Sequence, residues 1–135
     1  MSFKNEFTRY LDGRGIKYRE MNENNVRISY SGDNTNDISV NVIFDEDGDG
    51  LVALRCWSFG KVPEDKRSKM LETCNDLNNN YRWVKFSIDK DNDIAVSLDA
   101  VIDIQTVGEE CFQLVMRTVN IYDEAYPILM HALWS

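Results

Sequence analysis

The sequence predicts an α+β domain: a mostly antiparallel sheet with helices packed on it, in the order α-β-β-β-β-α-β-β-α. Three observations carry that reading. Short runs rich in Val, Ile, Phe and Tyr alternate with polar residues at period two, acidic Gly- or Asn-bearing turns separate them, and helical spacing appears at both ends and once in the middle.

Phe3, Phe7, Tyr10 and Leu11 fall at helical spacing behind Ser2, a good N-cap, and Gly13-Arg14-Gly15 supplies a stop. Ile16 and Tyr18 then alternate with Lys17 and Arg19, Asn22 to Asn25 supply a turn, and Val26, Ile28 and Tyr30 alternate again, which predicts a hairpin. A polar loop over 31–37 leads to a third strand carrying Ile38, Val40, Val42 and Phe44. The fourth strand, Leu51 to Ser58, follows the run Asp45-Glu46-Asp47-Gly48-Asp49-Gly50.

Pro63 suits the first turn of a second helix, with Glu64 and Asp65 at its positive end and Met70, Cys74 and Leu77 as its buried stripe. Asn78-Asn79-Asn80 ends it. A second hairpin runs through Val84, Phe86 and Ile88, the tip Asp89 to Asp93, and Ile94, Val96 and Leu98. Thr106 and Glu109 have capping-box spacing ahead of a long helix bearing Phe112, Val115, Val119, Tyr122, Tyr126, Leu129 and Leu133. Pro127 removes one hydrogen bond within it, so a kink or restart is expected there.

At 135 residues the chain is expected to form a single domain, 1–135. Its 43% hydrophobic content, with three Trp, six Tyr and six Phe, excludes a disordered tail. The net charge of -8 argues against nucleic acid, whose binding depends on Lys and Arg displacing counterions. The densest basic stretch, Lys61, Lys66, Arg67 and Lys69, is interleaved with Glu64, Asp65 and Glu72 and reads as a solvated helix face with an Asp65–Lys69 pair. Residues 1–7 lack an apolar leader core, which makes the expected address cytoplasmic. The apolar segment from Cys111 to Trp134 contains Arg117, Asp123 and Glu124, so no membrane span is expected. Cys56, Cys74 and Cys111 are odd in number and widely spaced, as reduced thiols serving as small buried hydrophobes would be.

The acidic run at Asp45 imitates a calcium loop through Asp45, Asp47 and Asp49. An EF-hand, however, needs flanking helices and a closing Glu at position twelve, where this chain has Cys56. No metal is favoured and no cofactor is expected. The echo at Asp89 to Asp93 points to shared turn chemistry instead. His131 has no partner at catalytic spacing, Cys111 has apolar neighbours, and Gly13-Arg14-Gly15 is too short for a dinucleotide fingerprint. No catalytic constellation emerges, so a non-enzymatic role is expected. Trp57 and Trp83 fall out of phase with the apolar faces of their strands and, with Tyr81 and Ile43, are candidates for an exposed aromatic surface that binds a partner.

The short N-terminal helix, the meander with the FDEDGDG tip, the VPEDKRSKMLETCNDLN helix, the WVKFSIDKDNDIAVSLDA hairpin and the long C-terminal helix together resemble the YbjN domain family. The resemblance implies a fold like that of type III secretion chaperones and a family described as bacterial sensory transduction regulators. It transfers no catalytic residue or ligand motif. The leading expectation is a protein-interaction domain, chaperone-like or regulatory, that binds a protein or peptide client or forms a homodimer. The alternative is a ligand- or calcium-responsive sensor using the acidic hairpin tips.

Overall fold

Ser2 closes the first helix as its sequence position suggests: its Oγ accepts the N–H of Asn5 at 3.0 Å at the start of α1 (Phe3–Gly13). The structure, a computed structural model, describes residues 2–45, 48–57 and 59–135. Arg14 ends α1 and Gly15 follows at φ +69°, a left-handed turn that glycine adopts without steric cost. Ile16 then donates its N–H back to the Leu11 carbonyl at 3.0 Å.

Six antiparallel strands follow: β1 (Arg19–Glu20), β2 (Asn25–Tyr30), β3 (Ile38–Phe44), β4 (Leu51–Cys56), β5 (Lys85–Ile88) and β6 (Ile94–Val101). They lie in the order β1-β2-β3-β4-β6-β5, so the second hairpin joins the meander through its later strand. The expected first strand at Ile16 and Tyr18 is corrected to the two residues Arg19 and Glu20. Ile16 and Tyr18 pack against the core instead, and the chain reaches pairing distance of β2 only after them.

Val26, Ile28, Val40, Val42, Leu54, Phe86, Val96 and Leu98 are buried on one face of the sheet. Their alternation in sequence is the pleat itself. On that face lie α1, through Phe7 and Leu11; α2 (Arg67–Asn80), through Met70, Cys74 and Leu77; and α3 (Val107–Trp134), through Val115, Tyr122 and Leu129. Each such side chain removed from water contributes about 1.5–3 kcal/mol before entropy is counted. Gly108 sets the α1–α3 approach: a Cβ there would sit 2.5 Å from the Cβ of Tyr10.

Three helix-end expectations change. Pro63 precedes a 3-10 turn, Glu64–Lys66, that leads into α2, rather than sitting in the first α-helical turn. Thr106 makes no side-chain cap bond; the Asp103 carboxylate orders the approach to α3 by accepting the N–H of Gln105 at 2.8 Å. The helix continues past Pro127 to Trp134 without a restart. The missing Pro127 N–H releases the Asp123 carbonyl, which accepts from Asn34 Nδ2 at 3.1 Å. The released acceptor is therefore satisfied from outside the helix.

Candidate functional site

The second face of the sheet is the one the helices leave uncovered. Pairing register defines its rows. Asn25, Ile43, Ala53 and Asp99 form one, and Arg19, Arg27, Asn41, Arg55, Ser97 and Lys85 form the next, crossing all six strands. Asn41 is only 2% exposed because its neighbours enclose it: Arg27 Nε donates to its Oδ1 at 3.0 Å, and its Nδ2 donates to the Arg55 carbonyl at 3.2 Å. Arg55 in turn pairs with Asp99 at 2.8 Å. The middle of the face is thus polar and internally bonded.

Beyond Ala53 the face becomes apolar. Leu51 and Val101 are paired across β4 and β6, and they are 41% and 74% exposed. They border a depression of about 430 Å³ lined by Asp45, Leu51, Val52, Ala53, Arg55, Asp99, Ala100 and Val101. Apolar side chains share this depression with the carboxylates of Asp45 and Asp99 and the guanidinium of Arg55, the last two paired with each other.

The expected surface residues divide into two places. Ile43 lies on the uncovered face beside Ala53. Trp57 follows Cys56, whose side chain is buried on the helix side, and is 49% exposed. Trp57 stands just past the end of β4, four positions along the chain from Ala53, the pairing partner of Ile43. Trp83 and Tyr81 lie instead between α2 and β5, toward α3. The Arg117 guanidinium of α3 stacks 5.0 Å from the Trp83 ring centroid, and burial followed by the nearby Glu124 raises the Tyr81 phenol above its ordinary pKa.

Trp83 has an uncommon backbone. Its φ is +74°, and Val84 donates its N–H to the Arg82 carbonyl at 2.8 Å, a γ-turn of the strained hand with Trp83 at its centre. A bulky residue in this region costs about 1–3 kcal/mol. The ring is nonetheless 51% exposed, so its burial returns little of that cost. The sequence shows Trp83 to be out of phase but carries no sign of the strain.

The outer edge of β5 is capped at Phe86. Asn78 Oδ1 accepts the Phe86 N–H at 2.7 Å and Asn78 Nδ2 donates to the Phe86 carbonyl at 3.0 Å, while Lys85 Nζ donates to the carbonyls of Asn78 and Tyr81. A helix residue thus takes the hydrogen bonds that an added strand would need.

At the hairpin tips, carboxylates organise their own turns. Asp49 Oδ1 accepts the Leu51 N–H at 3.2 Å, and Asp89 Oδ1 accepts the N–H groups of Asp91 and Asp93 at 2.9 and 3.0 Å. Asp47, in the weaker calcium alternative with Asp45 and Asp49, lies outside the described residues. Among the described residues, no three His, Cys, Asp or Glu side chains form a group able to hold a metal.

Cys56, Cys74 and Cys111 are buried free thiols. Burial pushes them up to about 12, about 11 and about 12, with Glu110 adding to the effect at Cys111. His131 is exposed in the last turns of α3. The expected Asp65–Lys69 pair is absent from the ion pairs among the described residues; Lys69 meets the Ser135 hydroxyl instead, and Lys66 meets the Ser135 carbonyl. No helix is long and apolar enough to cross a membrane among the described residues.

A single-faced antiparallel sheet backed by three helices is the architecture of secretion-chaperone-like domains. The heterodimeric complex ExoU-SpcU of the Pseudomonas aeruginosa type III secretion system contains a chain similar to this one at 14% identity and TM-score 0.60, over 93% of this chain and 96% of that one. A chain of the ExsC-ExsE complex is similar at 11% identity and TM-score 0.58, over 93% and 91%. The crystal structure of YbjN from E. coli is similar at 10% identity and TM-score 0.59, over 90% of both chains. No curated protein matches the sequence. Residues 5–124 match the YbjN family, described as "Putative bacterial sensory transduction regulator", and the chain belongs to that family.

Proposed function

We propose that this protein is a non-enzymatic polypeptide-binding domain, chaperone-like or regulatory, that holds an extended segment of a client protein against the uncovered face of its sheet. One observation carries the reading: the exposed Leu51–Val101 pair, beside Ala53 and Ile43, borders a depression of about 430 Å³ on a face that no helix covers. Apolar side chains in such a position gain free energy only when something covers them. The names of two similar structures, complexes of ExoU with SpcU and of ExsC with ExsE, support a polypeptide as the covering agent. The Asn78 side chain blocks strand addition at β5, which directs the client to the face rather than to that edge. Strained, half-exposed Trp83 is a second anchor, on the α3 side.

The test is co-purification from the native host, comparing the wild-type chain with a Leu51→Arg, Val101→Glu double variant. The reading expects a polypeptide retained by the wild type and lost from the folded variant. Identical retained proteins on both, or light scattering showing that the face is buried in a homodimer broken by the same substitutions, would contradict a client on this face.

A further inference from the structure

At the opposite corner of the uncovered face, Arg19 and Arg27 stand directly across from each other in the β1–β2 pairing. Like charges at such a position repel. In a chain with 23 acidic residues and 15 basic ones, nothing in composition forces this pair. The segment ahead of β1 runs without pairing to β2 at Lys17 and Tyr18, and a cleft of about 310 Å³ lies there, lined by Lys17, Tyr18, Arg19, Arg27, Ser29 and Ser39.

The nearby charges are accounted for one by one. Among the described residues, no carboxylate forms an ion pair with Lys17, Arg19 or Arg27. Arg27 is fixed by its Nε bond to Asn41, which leaves its terminal nitrogens as donors. Glu20 pairs with Lys4 at 3.1 Å, and Asp12 accepts from the Tyr18 hydroxyl at 2.9 Å. Asp37 accepts from Ser39 Oγ at 3.0 Å, and Ser39 Oγ lies 2.9 Å from Ser29 Oγ. Lys17, Arg19 and Arg27 face the carboxylates of Asp37 and of Asp12, whose charge the neutral Tyr18 hydroxyl does not cancel, so one positive charge remains in surplus, with two guanidinium groups and two hydroxyls around the space.

We propose that this cleft binds a phosphate dianion, either free or as a monoester on a larger molecule. Two guanidinium groups and an ammonium supply N–H donors for its tetrahedral array of acceptors, and binding converts the Arg19–Arg27 repulsion into shared attraction. The site is separate from the apolar depression and does not depend on the client reading.

Thermal unfolding in inorganic phosphate, against sodium chloride at equal ionic strength, tests it, with amide shifts recorded in parallel. Phosphate is expected to raise Tm by about 2 °C or more over chloride and to move the amides of Lys17, Arg19, Arg27 and Ser29. Arg19→Gln, on an exposed side chain, is expected to abolish the phosphate response without lowering Tm in chloride. Lys17→Gln should weaken it. A phosphoserine peptide shifting the same amides at lower concentration than phosphate identifies an ester as the natural source, and the reverse order identifies the free ion. Equal Tm in phosphate and chloride, a response that survives Arg19→Gln, or a stronger response to a poly-glutamate peptide would overturn the proposal.

Discussion

Asn34 and Asp123 are joined twice, although 89 positions separate them in sequence: the Asn34 backbone N–H donates to Asp123 Oδ1 at 2.9 Å, and the Asn34 side-chain amide donates to the Asp123 carbonyl. Asp33 and Thr35 add their N–H groups to the same carboxylate at 3.0 and 3.3 Å. The β2–β3 loop thus grips α3 where Pro127 has opened its hydrogen-bond ladder. Gly32 makes room for the grip, since a Cβ there would fall 2.2 Å from Asp123 Oδ1.

Asp123→Ala removes the acceptor for three backbone donors. The expected loss of stability is about 1–3 kcal/mol, measured by urea unfolding. Hydrogen exchange should speed up at Asn34 and Thr35. An unchanged unfolding midpoint would show that the grip is incidental.

Gly108→Ala places a methyl against Tyr10 at the α1–α3 crossing. Because both helices are anchored to the core, the clash should cost about 1–3 kcal/mol, although alanine is the better helix former. Denaturant titration of the variant decides the sign.

At Trp83 the usual order of Gly and Ala should reverse. Trp83→Ala discards the ring and the Arg117 contact yet keeps a side chain at φ +74°, whereas Trp83→Gly also relieves the strain. The Gly variant should therefore be more stable than the Ala variant by about 1 kcal/mol. Urea midpoints that rank Ala above Gly would mean that the γ-turn does not persist in solution.

Cys56, Cys74 and Cys111 should resist a thiol reagent in the native state and react once the chain is unfolded. The ordinary thiol value is 9.0, and burial raises the three folded groups to about 12, about 11 and about 12. A raised folded pKa means that the unfolded state loses its protons first. The thiols' contribution to stability is therefore complete below about pH 9 and declines between pH 9 and pH 11 to 12. Unfolding free energies across pH 8 to 11 should show this decline, and Cys56→Ala should reduce it.

The order of elements was legible because alternation survives wherever one face of a strand is buried, as at Val26 to Tyr30 and Ile94 to Leu98. Capping by Ser2 was legible as well, being local. What could not be read depends on distant residues. Ile16 and Tyr18 alternate like a strand but spend their apolar surface on the core. Thr106 has the residue type of a cap, yet Asp103 orders the turn. Pro127 predicts a broken helix only if no partner waits for the freed carbonyl, and Asn34 is far away in sequence. The candidate surface was half legible. Register places Ile43 in the row of Ala53, while the pairing of Leu51 with Val101 and of Arg19 with Arg27 follows from strand register alone.

The most direct test of a client on the uncovered face is site-specific photo-crosslinking in the native host, with a benzophenone side chain at Leu51 and, as a control, at Glu72, an exposed α2 position. The account predicts a discrete polypeptide adduct from position 51 and none from position 72. Adducts from position 72 alone, or none from position 51 while the chain remains folded, would contradict it.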